Sequence, residues 1–393
     1  MSTVIQSPTE PEFVQNPYAF YAKARATGSV HFWQDYKMLA AFSHATVSVL
    51  LKDRRLGREV PVDQKIAHAP HTAPFYAIEA HSMLELEAPR HTRLRGLVMR
   101  AFTSRRIQTL GPEIEALSHQ LIDQFPSEPF DLLPKFATQL PVIIIARLLG
   151  VPEIMSQKLL TWSNAMVSMY QASRTHDIEV AAAQASQEFA DFIRSYVDEK
   201  RQNPGDDLLT ELIAAEEDGE TLSTDELIAT CILLLNAGHE ATVHTLGNAV
   251  KTLLETQTDP SWITGENNAQ TVEELIRFDP PLHMFTRYAY EEVEVGRHLL
   301  KPGDQIALLL GAANHDPAMW DDPHVFNPNR PIKTNMAFGA GRHFCIGAPL
   351  ARLEMQIALK VLFERCPNLK ITQAPSYANK YHFHGLERLM VRA

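Results

Sequence analysis

The residues with the clearest chemical potential lie in one glycine-rich segment around Cys345. It runs Phe338-Gly339-Ala340-Gly341-Arg342-His343-Phe344-Cys345-Ile346-Gly347, and a helical stretch follows over residues 348–362. Glycines let the backbone turn sharply and approach a flat ligand, while backbone N–H groups and the positive end of a helix stabilise a thiolate. A dinucleotide-binding loop is excluded, because the third position after Gly341 is Phe344 and no long strand precedes the segment. The segment therefore predicts a bound thiolate.

The spacing of the cysteines limits which disulfides and metal sites the chain can form. The chain has three cysteines, Cys231, Cys345 and Cys366, with no close pair. This spacing excludes a disulfide framework and the CxxC patterns of zinc, iron–sulfur and c-type haem sites. A lone cysteine is most often a small buried core residue. We assign that role to Cys231 and Cys366, and for Cys345 it is the alternative to ligand binding.

The segment around Cys345 resembles the haem-binding loop of the cytochrome P450 family, F-G-x-G-x-[HR]-x-C-x-G, at every specified position. By that resemblance Cys345 is the proximal thiolate ligand of the iron in haem b, donating electron density that favours O–O cleavage. Phe338, Gly339 and Gly347 belong to the same implied cofactor-binding loop.

A second motif of the family precedes this loop. Glu274-Leu275-Ile276-Arg277 matches E-x-x-R, and Glu274 lies 71 residues before Cys345 (345 − 274 = 71). Residues three apart share a helix face, so Glu274 and Arg277 can form an ion pair; the alternative is a solvated surface pair that contributes little. The segment 326–330 resembles the one whose arginine, here Arg330, completes a structural ion cluster in the family.

The resemblance also implies which residues hold the haem propionates. His91-Thr92-Arg93-Leu94-Arg95 looks like the family's H-x-x-x-R helix, and residues four apart lie on one helix face from which both can donate to a carboxylate. Arg287 and His343 are the further propionate partners implied. Each of these residues alone is equally typical of a surface cation or a packed histidine.

A third motif lies in a stretch, residues 227–238, that is apolar on nearly every face of a helix, as expected for a helix in the middle of a large domain. The segment Ala237-Gly238-His239-Glu240-Ala241-Thr242 resembles the family's [AG]-G-x-[DE]-T helix. The resemblance implies that Gly238 helps to open a groove for dioxygen and that Glu240 relays protons. For Glu240 the alternative is a buried acid with a structural role.

The same motif contains a departure from the family. Ala241 stands where threonine is usual, and Thr242, one residue further, is rotated by about 100° around the helix. Three consequences stay open. A substrate hydroxyl or an ordered water replaces the missing group, Thr242 acts through a distorted helix, or oxygen activation is leaky. Relatives with this alanine favour the first consequence and an oxygenated substrate.

By position in the family, a distal substrate pocket is lined by Leu233, Ala237, Leu282, Phe285 and Phe383. The helical spacing of the first two is equally typical of core packing. The entrance segments contain Phe75, Tyr76, Met166, Met169 and Tyr170. Such an apolar, adaptable lining suits a terpenoid, steroid, fatty acyl or polyketide skeleton.

The implied function is that of a haem-thiolate monooxygenase. It inserts one oxygen atom from O2 into a lipophilic small molecule, by hydroxylation or epoxidation. The haem domain uses all 393 residues, so we expect no fused reductase. Electrons then come from NAD(P)H through a separate ferredoxin or flavodoxin with its reductase. A cationic docking face for that partner is predicted from Arg93, Arg100, Arg105, Arg106, Arg342 and Arg352.

Three alternative functions stay open at this point. The chain could be a haem-thiolate peroxygenase that uses peroxide directly, which the retained Glu240 disfavours. It could be a non-catalytic haem sensor or carrier, in which Ala241 marks lost catalysis. The third alternative is a helical scaffold without a cofactor.

Composition and charge limit the classes of partner and the cellular location that we expect. The net charge of −11 argues against nucleic acid, because a surface that neutralises phosphates needs positive charge. The polar amino terminus lacks the features of a signal peptide. The longest near-apolar stretch, residues 140–151, is shorter than the roughly 20 residues that span a bilayer. We expect a cytoplasmic monomer without a membrane anchor.

The elements that must position these residues are mainly helical. Residues 113–124 and 181–201 are amphipathic, and Ser223 with Glu226 forms a capping-box pattern that begins another helix. Short strands are predicted at 293–300 and 305–310, with a turn at 301–304. The predicted fold is mainly α (α+β), a single cytochrome P450-type domain over residues 1–393. Its sheets are small, and the haem lies between the oxygen-binding helix and the cysteine loop.

Overall fold

The computed structural model describes residues 2–170, 174–217, 219–381 and 383–393. The chain forms two compact units. The first comprises Met1–Gln64, Glu115–Ala137 and Ala241–Ala393, and the second comprises Lys65–Ile114 and Thr138–Glu240. Each unit is assembled from separate stretches of chain, which explains why no linker marks a boundary in the sequence. The extent of one domain over residues 1–393 stays a prediction.

Helices dominate the secondary structure, which confirms the mainly α prediction. In chain order they are α1 (Pro11–Gln15), α2 (Pro17–Thr27), α3 (His44–Lys52), α4 (Ala73–Glu79), α5 (Arg90–Ala101), α6 (Ser104–Thr109), α7 (Gly111–Ile122), α8 (Gln139–Leu148), α9 (Ser156–Val167), α10 (His176–Gln202), α11 (Leu208–Ala214), α12 (Thr224–Glu255), α13 (Ser261–Thr264), α14 (Asn268–Phe278), α15 (Leu310–Asn314) and α16 (Ala348–Arg365). Short 3₁₀ turns include Pro70–Thr72, Ser168–Tyr170 and Gly341–His343.

Strands are short and lie mostly in the first unit. In chain order they are β1 (Thr3–Val4), β2 (Val30–Trp33), β3 (Met38–Ala41), β4 (Leu56–Gly57), β5 (Phe130–Asp131), β6 (Glu216–Glu217), β7 (Glu220–Thr221), β8 (Met284–Ala289), β9 (Val293–Val295), β10 (His298–Leu300), β11 (Gln305–Leu309), β12 (Lys370–Ile371), β13 (Ser376–Tyr377), β14 (Leu386–Arg388) and β15 (Met390–Arg392).

The largest sheet has the order β1-β2-β3-β11-β8-β4. Within it β1 runs parallel to β2 and β3 parallel to β11, whereas the other neighbours are antiparallel. Its inward side chains, such as Leu39, Ile306 and Leu308, are buried in one apolar cluster with residues of α3. This packing fixes β8, which carries Arg287, against the core of the first unit.

Strand prediction over residues 293–300 needs a correction. The stretch is a hairpin of two strands, in which β9 pairs antiparallel with β10. Gly296 lies between them with φ +62°, a left-handed conformation that glycine adopts without a side-chain clash. The second predicted strand is present as β11, and it pairs with β3 and β8 rather than with the hairpin.

Capping explains where the long helices begin. The backbone N–H of Ser223 donates to Glu226 Oε2 at 2.9 Å, and that of Glu226 donates to Ser223 Oγ at 3.2 Å, as the capping-box pattern predicts. Helix α10 begins five residues before the predicted 181, because the Thr175 hydroxyl caps the N–H of Ile178. Among the described residues, every helix is too short or too polar to cross a membrane.

Candidate active site

Cys345 lies in a tight loop directly before α16. Its backbone N–H donates to the Phe338 carbonyl oxygen at 3.0 Å, and the N–H of Phe344 donates to the Gly341 carbonyl oxygen at 3.1 Å. The side chain of Cys345 is exposed, whereas those of Cys231 and Cys366 are buried. The loop therefore presents one thiol, three residues ahead of the N-terminus of α16, whose positive end favours a thiolate.

The other two cysteines have the packing role that the sequence predicts. Burial raises the pKa of the Cys231 thiol to about 12. Burial also raises the pKa of Cys366. Burial thus disfavours the thiolate form of both cysteines, in keeping with a packing role.

Two glycines give the cysteine loop its shape. Gly339 and Gly341 have φ of +69° and +72°, which other residues adopt at a cost. A Cβ atom at Gly341 would lie 2.4 Å from the carbonyl oxygen of Leu51, and one at Gly339 would lie 3.1 Å from the ring of Phe285. The loop thus packs directly on the end of α3 and on β8.

The E-x-x-R motif forms a buried ion cluster. Arg277 donates from Nε to Glu274 Oε2 at 2.7 Å and from Nη2 to Oε1 at 2.8 Å. Arg330 donates from Nε to Glu274 Oε1 at 2.9 Å, and the backbone N–H of Asn327 donates to the same oxygen at 3.1 Å. Only 3% of Glu274 and 2% of Arg277 are exposed. The structure brings together the three predicted members, and every Glu274 oxygen has a partner.

Of the residues predicted to bind propionates, two lie in the first unit. Arg287 is buried on β8, its Nη1 donates to the Thr286 carbonyl oxygen at 2.8 Å, and its guanidinium lies 5.7 Å from the centre of the Phe285 ring. His343 is half-buried in the Gly341–His343 turn. Since Phe285 also contacts Gly339 of the cysteine loop, Arg287 lies on the loop side of the sheet.

The other two predicted propionate residues lie in the second unit, on α5. His91 is buried and Arg95 is half-buried, one helical turn apart on the same face. The helix begins directly after Pro89, and the N–H of His91 donates to the Glu87 carbonyl oxygen at 2.9 Å. Their assignment as cofactor ligands stays a prediction.

The central segment of helix α12 carries an accessible stripe. Leu233 is half-buried, Ala237 is exposed, and Ala241 is half-buried, so one side chain per turn is open on one face. A helix packed on every side would bury all three. The stripe therefore marks the face of α12 that borders open space. Leu233 and Ala237, both predicted to line the pocket, lie on it.

Gly238 and Glu240 lie at the centre of this helix. A Cβ atom at Gly238 would lie 3.1 Å from Cγ1 of Ile145, so this glycine allows close packing of α12 on α8. The side chain of Glu240 is 22% exposed, and its Oε2 lies 3.6 Å from Nε2 of the buried His239. His239 in turn bonds through Nδ1 to the Leu235 carbonyl oxygen at 2.7 Å.

Around Ala241 the structure shows a hydroxyl that sequence reasoning missed. Thr242 is buried, whereas Thr245 is half-buried and donates from Oγ1 to the Ala241 carbonyl oxygen at 2.7 Å. The sequence feature that could have revealed Thr245 is its position one helical turn after Ala241, on the accessible face. Thr245 therefore contributes a hydroxyl that bonds the backbone of this segment.

The remaining predicted pocket residues lie in the first unit with packing roles of their own. Leu282 and Phe285 are partly buried against the apolar cluster beneath the large sheet. The Phe383 ring lies 5.8 Å from that of His244 on α12. Sequence reasoning did not predict that Phe285 would support the cysteine loop. The assignment of these three residues to a substrate pocket stays a prediction.

Three of the six arginines predicted to dock a redox partner form ion pairs within the chain. Arg93 pairs with Glu220 and Glu226, and Arg106 pairs with Asp206 and Glu211 at 3.0 Å each. Arg352 pairs with Glu273. These three cations are neutralised within the chain, because folding brings carboxylates from distant segments next to them. The docking face for the redox partner stays a prediction.

Comparison with known proteins identifies the family. A family model described as Cytochrome P450 matches residues 34–258 and 269–379. The polyketide biosynthesis cytochrome P450 PksS of Bacillus subtilis (strain 168) is 34% identical over 406 residues, covering 100% of this chain and 99% of the relative. The cytochrome P450 monooxygenase PikC of Streptomyces venezuelae is 34% identical over 398 residues, covering 97% of this chain and 92% of the relative.

A solved structure supports the same family assignment. The crystal structure of P450BioI in complex with an acyl carrier protein carrying hexadec-9Z-enoic acid superposes with a TM-score of 0.88 at 30% identity, covering 97% of this chain and 99% of that one. The chain belongs to the cytochrome P450 family and is an oxidoreductase of the monooxygenase type.

Proposed function

We propose that the chain hydroxylates or epoxidises an oxygenated acyl or polyketide-type substrate, using haem b bound through Cys345 and electrons from a separate redox protein. The observation that carries the proposal is the single accessible thiol, held in a glycine-shaped loop at the start of α16. When bound, haem supplies the activation of O2, whose one atom enters the substrate while the other leaves as water with two electrons and two protons.

The residues present fit a haem. Gly339 and Gly341 hold the loop in a conformation that leaves Cys345 exposed, and α12 carries an accessible stripe at Ala237 and Ala241. Arg287 supplies a buried cation on the side of the sheet that contacts the loop. A thiolate, a positive charge for a carboxylate and an open helix face are the groups that a haem with two propionates requires.

Proton delivery is assigned to Glu240 and its neighbours. The carboxylate is partly exposed, so it can take a proton from solvent at one oxygen, while Oε2 faces Nε2 of His239. Ala241 has a methyl group where the family usually has a hydroxyl. Thr245 donates to the Ala241 carbonyl oxygen, so its hydroxyl is engaged by the helix backbone.

The missing hydroxyl favours an oxygenated substrate that supplies this group itself. PksS is named for polyketide biosynthesis, and the solved P450BioI complex contains a fatty acyl chain on an acyl carrier protein. An acyl or polyketide chain carries the hydroxyl and carbonyl groups that could substitute at Ala241. The apolar positions Leu233 and Ala237 on the accessible stripe suit the rest of such a chain.

The electron donor is proposed to be a ferredoxin or flavodoxin that docks beside the cysteine loop. Lys52 and Arg54 are exposed at the end of α3, where Gly341 packs, and Nη2 of Arg342 lies 3.4 Å from the Arg54 carbonyl oxygen. Replacing Lys52 and Arg54 by glutamine should slow reduction by an acidic partner but not by dithionite. The matched control replaces Lys370 and Arg392, an exposed pair on β12 and β15.

The substrate proposal is tested by titrating the holoenzyme with matched lipophilic compounds and following the iron spin state. Hydroxylated polyketide lactones or fatty acyl chains should bind and, under ¹⁸O2 with reductant, gain one labelled oxygen. The same skeletons without the hydroxyl should give less product per NAD(P)H consumed. Ala241→Thr should remove that difference. Equal coupling for both skeletons in the unmodified enzyme would reject the hydroxyl-supplying role.

A further inference from the structure

Two histidines and a glutamate converge on the surface of the second unit. His71 lies in the Pro70–Thr72 turn, and His176 and Glu179 lie in the first turn of α10. His71 Nε2 is 2.8 Å from Glu179 Oε2, and the His71 and His176 rings are 4.5 Å apart between centres. One ligand atom from each residue lies within 4.8 Å of the other two. All three side chains are partly or fully exposed.

Their spacing is that of a chelating pair completed from another element. His176 and Glu179 are three residues apart, so they share one face of α10. A glutamate and a histidine at this spacing, in the reverse order, bind metals in helical bundles. Zinc binds imidazole nitrogen and carboxylate oxygen at about 2.0–2.2 Å. Ligand atoms on one such ion are about 3–4 Å apart, and exposed side chains can close from the present spread to that distance.

We propose that His71, His176 and Glu179 bind one divalent transition-metal ion of the zinc class, with water in the remaining position. Two imidazoles and one carboxylate suit zinc, copper and nickel better than calcium or magnesium, which prefer oxygen ligands. The site is open to solvent, so an ion can enter without unfolding the chain.

A second group of two histidines and a carboxylate shows why a metal site must be accessible to solvent. Asp279, His283 and His384 also place ligand atoms within 4.8 Å of one another, but all three are buried. The Asp279 oxygens accept hydrogen bonds from Tyr18 at 2.8 Å and from Tyr377. These side chains are both buried and bonded to the protein, whereas those of the exposed group can move in solvent, so the buried group carries no metal-site proposal.

Arg174 sets the affinity of the exposed site. Its Nε donates to Glu179 Oε1 at 3.0 Å, and its Nη1 donates to the Met169 carbonyl oxygen at 3.2 Å. A guanidinium beside the carboxylate competes with a metal ion for the same negative charge. Removing this charge should tighten metal binding, in contrast to removal of either histidine.

The chain segments next to the two metal-binding elements already contact each other. Tyr170 donates from its hydroxyl to Glu79 Oε2 at 2.9 Å, and its ring lies 6.1 Å from that of Phe75. Phe75 and Tyr170 belong to the segments predicted to form the substrate entrance. A bound ion would tie the Pro70–Thr72 turn to α10 and slow substrate entry. This consequence rests on the proposed function, whereas the metal binding does not.

The site is tested by calorimetric titration of zinc chloride into untagged holoenzyme that has been treated with EDTA and dialysed. One zinc per chain is expected, bound at least tenfold more weakly by His71→Ala and by His176→Ala. Arg174→Gln should bind at least threefold more tightly. His298→Ala, a half-buried histidine on β10 in the first unit, is the matched control and should bind as the unmodified protein does. Absence of one-to-one binding, or an affinity in either alanine variant equal to that of the unmodified protein, would overturn the site.

The entrance effect has its own readout. Saturating zinc should slow the spin-state change on mixing with a lipophilic ligand in the unmodified enzyme but not in His71→Ala. Zinc binding without a change in that rate would reject the entrance effect and leave the site. The carbon monoxide spectrum of each variant reports separately whether the haem site, and with it the proposed function, is intact.

Discussion

The buried ion cluster and the cysteine loop are both strong sequence motifs of the first unit, but their polar groups are used differently. Glu274 is buried with every oxygen bonded to Arg277, Arg330 or a backbone N–H. Cys345 is exposed at its thiol while its backbone is fixed by the loop. A buried group whose hydrogen bonds are all made stabilises the fold. A side chain that is exposed on a fixed backbone is available for chemistry. Motif specificity alone does not separate the two roles.

The largest expected effect on stability comes from breaking the cluster. Glu274→Gln removes the charge that compensates two buried guanidinium groups, and we expect a loss of about 3–5 kcal/mol in the free energy of unfolding. Glu273→Gln is the matched control, because Glu273 pairs with the partly exposed Arg352 and should cost at most about 1 kcal/mol. Urea unfolding measures the free energy of unfolding of both variants. Equal losses would contradict the distinction between a buried, fully hydrogen-bonded cluster and a partly exposed pair.

A comparable effect of opposite sign is expected at Glu354, a buried carboxyl on α16 that is the counterexample to the ion cluster. Both of its oxygens are buried without a hydrogen-bond partner among the described residues, and burial raises its pKa to about 8. In the unfolded chain the group ionises near its ordinary pKa of 4.5. The stability it contributes is therefore complete below that pH and is lost as pH rises towards 8.

Glu354→Gln keeps the shape and removes the ionisation. At pH 8.5 the variant should exceed the unmodified protein in free energy of unfolding by roughly 4–5 kcal/mol, with little difference at pH 4. Urea unfolding at the two pH values makes the measurement. A difference that does not depend on pH would show that Glu354 is not held neutral.

The smallest effect is expected from Gly341→Ala. It should cost about 2 kcal/mol, because both the positive φ and the approach to the Leu51 carbonyl oxygen oppose a Cβ atom. Gly296→Ala is the control, since its φ is also positive but a Cβ there meets nothing within 4 Å; about 1 kcal/mol is expected. Thermal unfolding and haem content give the readout. Equal costs would mean that the loop does not depend on its packing against α3.

Local chemistry in the sequence predicted much of this arrangement. The Ser223 capping box, the two buried cysteines and the Glu274–Arg277 pair follow from residue type and spacing, whereas the place of Arg330 in the cluster was implied by the family resemblance. The role of Thr245 was missed, because a hydroxyl bonded to its own helix leaves no distinctive pattern. The hairpin at Gly296 was missed because alternation alone does not reveal where a strand turns back.

Long-range pairing could not be predicted. Arg106 meets Asp206 and Glu211, about one hundred residues away in sequence, so its charge is compensated only in the folded chain. Glu354 resembles an ordinary helix residue until packing removes its solvent. The exposed group of His71, His176 and Glu179 likewise joins a turn to a helix that is distant in sequence. These features depend on tertiary structure rather than on local pattern.

The central claim is that Cys345 binds haem iron as a thiolate. The most direct test is the spectrum of the reduced protein under carbon monoxide, after expression with haem supplied. The unmodified protein, Cys231→Ala and Cys366→Ala should show the red-shifted haem–thiolate band, and Cys345→Ser should lose it. Absence of haem from the unmodified protein, or retention of the band by Cys345→Ser, would contradict the account.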